Sequence, residues 1–205
     1  DRAQKILFIY GQIAFEAASQ LEKEREDSIV AAKDKPKKEE IDKAYEAAID
    51  QWRRLVSKYP NTEASSVALY RIARIQEEKL GNWAAALESH RALRWGSRAY
   101  VATTHVTLLT RKSLALQTER KFRTNEKVLV KLNTRNIKKV TVRQYFLNLE
   151  SYFRKTHAIG SISHLDIALI EPDKQWEVEI RDYTDFKPMV QDIEVPFANG
   201  KAGVC

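Results

Sequence analysis

At 205 residues the chain has room for two modest domains of roughly 100 residues each. With 43% apolar and 31% charged residues it can build a folded core, which excludes wholesale disorder, and no apolar run approaches the roughly 18–20 residues of a membrane-spanning helix. The net charge of +7 is uneven: residues 1–95 carry 17 basic and 16 acidic side chains, residues 97–155 carry 14 and 3, and residues 156–205 carry 4 and 9. Basic and acidic segments within one small domain are expected to face each other on neighbouring strands. An open basic surface for nucleic acid or anionic lipid is the lesser expectation. The single cysteine, Cys205, excludes an internal disulfide framework and a cysteine-based zinc cluster, and reads as a strand residue of a cut domain. Because the chain begins at Asp1 and not Met, a longer precursor is expected.

In chain order, Ile6, Ile9, Tyr10, Ile13, Ala14, Ala17 and Leu21 recur at three- and four-residue spacing and predict a first helix with this face inward. The pattern fades into Glu22–Glu26, and the Lys-rich stretch Lys33–Lys38, with Pro36 inside it, is expected to be a linker. A second helix is predicted from about Glu40 to Lys58, with Ile41, Ala44, Tyr45, Ala48, Ile49, Trp52, Leu55 and Val56 apolar. Tyr59-Pro60-Asn61-Thr62 ends it, since the residue before proline disfavours helix and Asn or Thr supplies a new cap. A third helix runs from Glu63 to Leu80, with Val67, Leu69, Ile72, Ala73 and Ile75 inward, and Gly81-Asn82 breaks it. A fourth runs from Trp83 to about Arg94, which makes two antiparallel helix pairs.

Ala48, Trp52, Leu55 and Pro60 fall at the spacing A-x3-W-x2-L-x4-P, which resembles the second helix of a tetratricopeptide repeat. Tyr10-Gly11 looks like the paired residues of that repeat's first helix, and Ile72-Ala73, Leu80-Gly81, Ala86 and His90 follow the same outline. The Lys-rich insertion departs from the 34-residue period of the family.

Past Gly96 the period is read as changing to two. Predicted strands centre on Val101/Thr103/His105, Leu114/Leu116, Val128/Val130/Leu132, Val140/Val142/Gln144, Ile167/Leu169, Trp176/Val178/Ile180 and Ile193/Val195/Phe197, with a short helix over Leu149–Lys155. The fold class is therefore α+β in two domains: antiparallel α-hairpin repeats over 1–95, then an antiparallel β-sandwich over 98–205.

The stretch Glu119–Val128 is similar to the opening of a macroglobulin-like domain, where an aromatic residue precedes a Pro-Gly-Glu-x-Val turn; here Thr124-Asn125 replaces Pro-Gly. Val130-Lys131-Leu132, Val140–Arg143, Leu149–Lys155 and Leu165–Ile170 leading into Pro172-Asp173-Lys174 extend the likeness. Together they resemble the N-terminal portion of bacterial alpha-2-macroglobulin family proteins, with an immunoglobulin-like sandwich. The resemblance implies a large periplasmic, cell-envelope or secreted parent that traps proteases by conformational collapse, sometimes through a thioester. No C-x-E-Q stretch is present, so any such chemistry is expected beyond Cys205.

No catalytic pattern stands out: there is no Gly-rich phosphate loop, no G-x-S-x-G and no paired histidines at helical spacing. The chain is accordingly expected not to be an enzyme and to need no cofactor or metal. His157 and His164, with Asp166, are read as loop histidines before a metal pair, His90 as a helix-packing residue, and Asp182 with Asp185 as an acidic turn. The basic cluster Arg135, Lys138, Lys139, Arg143, Arg154 and Lys155 lies near Tyr145, Phe146, Tyr152 and Phe153. Solvated or ion-paired strand faces are preferred there to a single-strand nucleic-acid reader. The candidate contact residues are Tyr10, Ala14, Arg71 and Arg74, lining a helical groove. The leading expectation is a non-catalytic scaffolding segment of an alpha-2-macroglobulin-like protein. Its partners would be other domains of the parent chain, proteases or peptide segments. A stand-alone repeat adaptor is the alternative, and nucleic-acid binding through 120–155 comes third.

Overall fold

The computed structural model describes residues 2–27, 32–118, 122, 126–146, 149–157 and 170–196. The chain divides into two units, Asp1–Arg111 with Asp185–Lys187, and Lys112–Thr184 with Pro188–Cys205.

Among its described residues the first unit holds five helices, α1 (Arg2–Glu26), α2 (Lys38–Lys58), α3 (Glu63–Glu78), α4 (Trp83–Ala92) and α5 (Ala99–Thr110), with a 3-10 turn at Ala32–Asp34. Each helix packs on the next in sequence, the arrangement of stacked helical hairpins. The apolar period of α2 turns Ile41, Tyr45, Ala48, Ile49, Trp52 and Leu55 into the core, as its sequence predicts. Trp52 is wholly buried, and its indole N–H donates to the Phe8 carbonyl at 3.2 Å, which satisfies the one polar group it carries inward. Gly11 faces that indole; a Cβ there would collide with the ring, so α1 and α2 approach closely only because position 11 is glycine. The start of α3 is fixed by reciprocal bonds: Ser65 N donates to Thr62 Oγ1 at 3.2 Å, and Thr62 N donates to Ser65 Oγ at 3.0 Å. At α4, Asn82 Oδ1 accepts from Ala85 N at 3.1 Å, and Gly81 before it takes a positive φ of 63°.

Two expectations for this unit are corrected. The face of α1 turned to the core carries Leu7, Phe8, Gly11, Ala14, Phe15, Ala18 and Leu21. Ile6, Ile9, Tyr10 and Ile13 are instead 45–57% exposed. Both sets obey helical spacing, and the aromatic set prevails because Phe8 and Phe15 pack against Trp52 in tilted contacts, with centroids 6.1 and 6.0 Å away.

The second correction concerns residues 101–108, expected as a strand. They belong to α5, and the helical unit runs to Arg111, not 95. The threonines that suggest β structure bond back along the helix: Thr103, Thr104, Thr107 and Thr110 donate to the carbonyls of Ala99, Tyr100, Thr103 and Val106. Ala102 and Leu109, seven apart, are the buried positions. Gly96 is not a domain break but a turn of positive φ, 72°, between α4 and α5. Around it Trp95 Nε1 donates to the Thr62 carbonyl at 3.1 Å, Ser66 Oγ donates to the Trp95 carbonyl at 2.9 Å, and Ser97 N donates to Glu63 Oε2 at 3.0 Å. The turn is thereby clasped to the start of α3.

The second unit holds β1 (Ser113–Gln117), β2 (Val128–Arg135), β3 (Lys139–Gln144), α6 (Leu149–Thr156), β4 (Lys174–Glu179) and β5 (Pro188–Val195). One antiparallel sheet has the order β1-β2-β5 and a second pairs β3 with β4. Val130 opposes Ile193, Leu132 opposes Gln191, Val140 opposes Val178 and Val142 opposes Trp176. Leu132, Ile180 and Ile193 are buried, with Val130, Val140, Val142, Val178, Tyr183 and Met189 packed against them, so both sheets feed one small cluster. Leu114 and Leu116 on β1 are exposed. The strand expected at 167–169, Phe197, Cys205, and the metal alternative at His164 and Asp166 lie outside the described residues.

The expected pairing of opposite charges appears between strands. Lys139 pairs with Glu177 across β3 and β4, and Lys127 lies 3.5 Å from Glu194, while Arg143 Nε donates at 3.1 Å to the neutral Gln175 Oε1. Asp182 and Asp185 sit exposed in turns. No helix is long and apolar enough to cross a membrane among the described residues.

Candidate functional site

A trough of about 180 Å³ lies between α1 and α3, the first helices of successive pairs. Its floor is apolar, from Phe15 on α1, Trp52 on α2 and Ile75 on α3. Its rim is polar: Gln12 from α1, with Arg71, Arg74, Glu78 and Lys79 from α3 and its end. The spacing Arg71, Arg74, Ile75, Glu78 is the i, i+3, i+4, i+7 face of one helix, which is why these side chains converge.

The rim cations differ in their partners. Arg74 pairs with Glu78 one turn along. Lys79 Nζ lies 2.6 Å from Glu22 Oε2, which also accepts from Tyr45 Oη at 2.7 Å. Burial pushes the Glu22 carboxyl up, but the bonds from Lys79 and Tyr45 and the charges of Lys79 and Lys38 outweigh it, so its pKa sits below the ordinary 4.5. Arg71 is different. Its guanidinium donates to the neutral Gln12 Oε1 and lies 5.0 Å from the Phe8 ring centroid and 5.4 Å from that of Trp52. Burial, then the charge of Arg98, lowers its pKa, while Glu16 acts the other way. Among the described residues no carboxylate lies within ion-pair distance of it.

Of the four candidate contact residues, the fold brings Arg71 and Arg74 together on this rim. Tyr10 stands on the solvent side of α1 and Ala14 is half-buried against the core, so α1 supplies Gln12 and Phe15 to the trough instead. The sequence does not mark Gln12 and Phe15, because the stripe Ile6, Ile9, Tyr10 and Ile13 points to another face of α1.

A second cluster gathers one side chain from each of three helices: Glu77 (α3), His90 (α4) and His105 (α5). Glu77 Oε2 lies 3.6 Å from His90 Nε2 and 3.6 Å from His105 Nδ1. The two imidazoles stack at 4.7 Å between centroids with 10° between planes. His90 is buried, and among the described residues neither of its ring nitrogens nor Glu77 Oε2 has a hydrogen-bond partner. The neighbouring His90 ring holds the Glu77 carboxyl below its ordinary range against the effect of burial, with help from the charges of His105 and Arg74. Burial, then the charge of His90, lowers the His105 pKa, though Glu77 opposes this. On its far edge His105 Nε2 is 3.5 Å from Tyr70 Oη and 3.5 Å from Arg74 Nη1. His90 fills the packing place expected of it, but Glu77 and His105, 13 and 15 positions away from it, leave no short-spaced motif to find.

Residues 67–93, most of α3 and all of α4, match the tetratricopeptide repeat family model, so this part of the chain is similar to that repeat. No curated protein and no solved structure gives a significant match. The helical unit is thus TPR-like, an element type suited to holding protein partners, and nothing in these comparisons points to the alpha-2-macroglobulin family.

Proposed function

We propose that the chain is a non-catalytic protein-interaction segment whose α1–α3 trough receives a partner segment bearing a carboxylate. The observation that carries this reading is Arg71, a half-buried guanidinium beside an apolar floor with no carboxylate within ion-pair distance among the described residues. A cation held this way gains from a bidentate anion, because charge-assisted bonds strengthen as water is excluded. Phe15, Trp52 and Ile75 would bury an apolar side chain next to that anion. Arg74 and Lys79, already neutralised by Glu78 and Glu22, would shape the rim without setting the charge preference.

The test is fluorescence anisotropy with short peptides that carry an aspartate or a free C-terminal carboxylate next to an apolar residue, against their amidated or Asn counterparts. Loss of one charged hydrogen-bonding partner corresponds to about 1.5–3 kcal/mol, so Arg71→Gln is expected to weaken binding by roughly 10- to 100-fold. Equal binding by the variant, or no preference for the carboxylate form, would rule the reading out. The non-catalytic part is checked separately: turnover by the pure chain that vanishes with one point mutation would contradict it.

The finer reading is that the strand unit is a macroglobulin-like β-sandwich, and the whole chain part of a bacterial alpha-2-macroglobulin-like protein of the periplasm, cell envelope or secretome. What supports it is the sequence resemblance over residues 119–174, together with antiparallel strands following TPR-like helices. The full reading frame tests it: further sandwich domains after Cys205 are expected, and their absence would remove the idea.

A further inference from the structure

We infer that Glu77, His90 and His105 form a binding site for one transition-metal ion of the zinc class, which ties α3, α4 and α5 together. Three observations carry it. The ligand types are right, since two imidazoles and a carboxylate are a frequent zinc donor set. The spacing is right as well: two donors about 2.0–2.1 Å from a tetrahedral ion lie about 3.4 Å apart, and Glu77 Oε2 is 3.6 Å from each histidine nitrogen. All three donor atoms fall within 4.8 Å of one another, so a modest rotation of His105, the most exposed of the three, brings its Nδ1 out of the stack and onto a shared ion.

The third observation is the unmet need of the site. His90 is buried with both ring nitrogens unpartnered, and Glu77 Oε2 is buried and equally without a bond. Groups of this kind are rare in folded proteins unless something polar fills the gap. A cation bonded to His90 Nε2 and Glu77 Oε2 relieves two of the three unpartnered atoms at once. Outside this shell, Tyr70 Oη at 3.5 Å is placed to accept the Nε2–H of the His105 tautomer whose Nδ1 is free for the metal. Arg74 Nη1, also at 3.5 Å from that nitrogen, can only donate, so metal binding through Nδ1 requires it to turn away while Arg74 Nη2 stays paired with Glu78. Each ligand comes from a different helix, and α4 and α5 each lend one imidazole, so the ion would act as a staple of the repeat stack and not as a reaction centre.

The experiment uses the full untagged chain, stripped with chelator and titrated with Zn2+ by calorimetry and with Co2+ by visible absorption. One ion per chain is expected, with the intense d–d bands of four-coordinate cobalt and a rise in Tm on zinc addition. Losing an outer-shell partner of a metal typically weakens binding 10- to 100-fold, so His105→Gln, which removes a ligand, is expected to weaken it at least about 10-fold. Glu77→Gln is expected to do the same. His157→Gln, outside the cluster, is expected to bind like the parent. Circular dichroism of the apo forms keeps loss of folding apart from loss of binding, and the cobalt spectrum of the parent needs no variant at all. Absence of stoichiometric binding by the parent, an octahedral cobalt spectrum, or unchanged affinity in a folded His105→Gln or Glu77→Gln chain would each overturn the inference.

Discussion

The helical unit buries Trp52, Tyr45, Leu55, Ile72, Leu87, Leu93 and Leu109 almost completely, whereas among the described residues of the strand unit only Leu132 reaches that state. The difference follows from geometry. A helix stacked between two others hides side chains on both flanks, as α2 does between α1 and α3 and α3 does between α2 and α4. Sheets of three and two strands turn every second residue to solvent and leave little area between them. The helical unit therefore owes its stability to large interlocked side chains, and the strand unit owes more to backbone ladders and cross-strand pairs such as Lys139–Glu177.

The sharpest way to break this comparison is to truncate the central residue of each core. Trp52→Ala is expected to destabilise the helical unit by about 3–5 kcal/mol, because it leaves an aromatic-sized void and strips Phe8 and Phe15 of their partner. Leu132→Ala is expected near the lower end of the usual range, about 2 kcal/mol, since half-buried neighbours such as Val130 and Met189 can settle into the gap. Urea melts followed by far-UV circular dichroism rank the two; a larger loss for Leu132→Ala would invert the picture.

Gly11→Ala comes next. Alanine favours helix by up to about 1 kcal/mol, so an exposed site would gain. Here the new methyl meets the Trp52 ring, and overpacking of about 1–3 kcal/mol is expected to prevail. A raised Tm in the variant would mean that α1 and α2 do not approach as closely as described.

The smallest effect sits at the ion pair. The Glu22 pKa is depressed in the fold, so its contribution is present above its ordinary 4.5 and is lost as pH falls through the lower folded value. The Lys79 pKa is raised, first by the bond to Glu22, so its contribution is present below its ordinary 10.5 and is lost as pH rises through the higher folded value. Glu22→Gln is expected to flatten the acid limb of the stability–pH profile slightly, and an unaltered limb would show the pair to be without weight.

How much of this was legible in the sequence depends on whether one signal or two competed at each point. In α2 only one face is apolar, and its buried residues follow the period of 3.6 without exception. In β2 to β5 the alternation at Val130/Leu132, Val140/Val142 and Trp176/Val178 names the inward side correctly. α1 offers two apolar stripes, and which one turns inward depends on Trp52, 44 residues from Phe8 along the chain. α5 has the composition of a strand, and it is held helical by contacts distant in sequence, its packing on α4 and the Gly96 turn clasped to the start of α3. Gln12 falls beside Arg71 only when the Phe8 and Phe15 stripe of α1 turns inward. The Glu77–His90–His105 cluster, spread over three helices, could be found only in three dimensions.

The clasp between Trp95, Ser97 and the opening turn of α3 has a consequence for the order of assembly. Glu63 and Ser66 must already be presented by a formed α3 before the Gly96 turn has anything to close on. Growth from the N-terminal side, one hairpin at a time, meets that condition at every step, since each new helix finds its docking surface completed by the one before it. A ribosome delivering this unit residue by residue thus hands over the template first and the latch last.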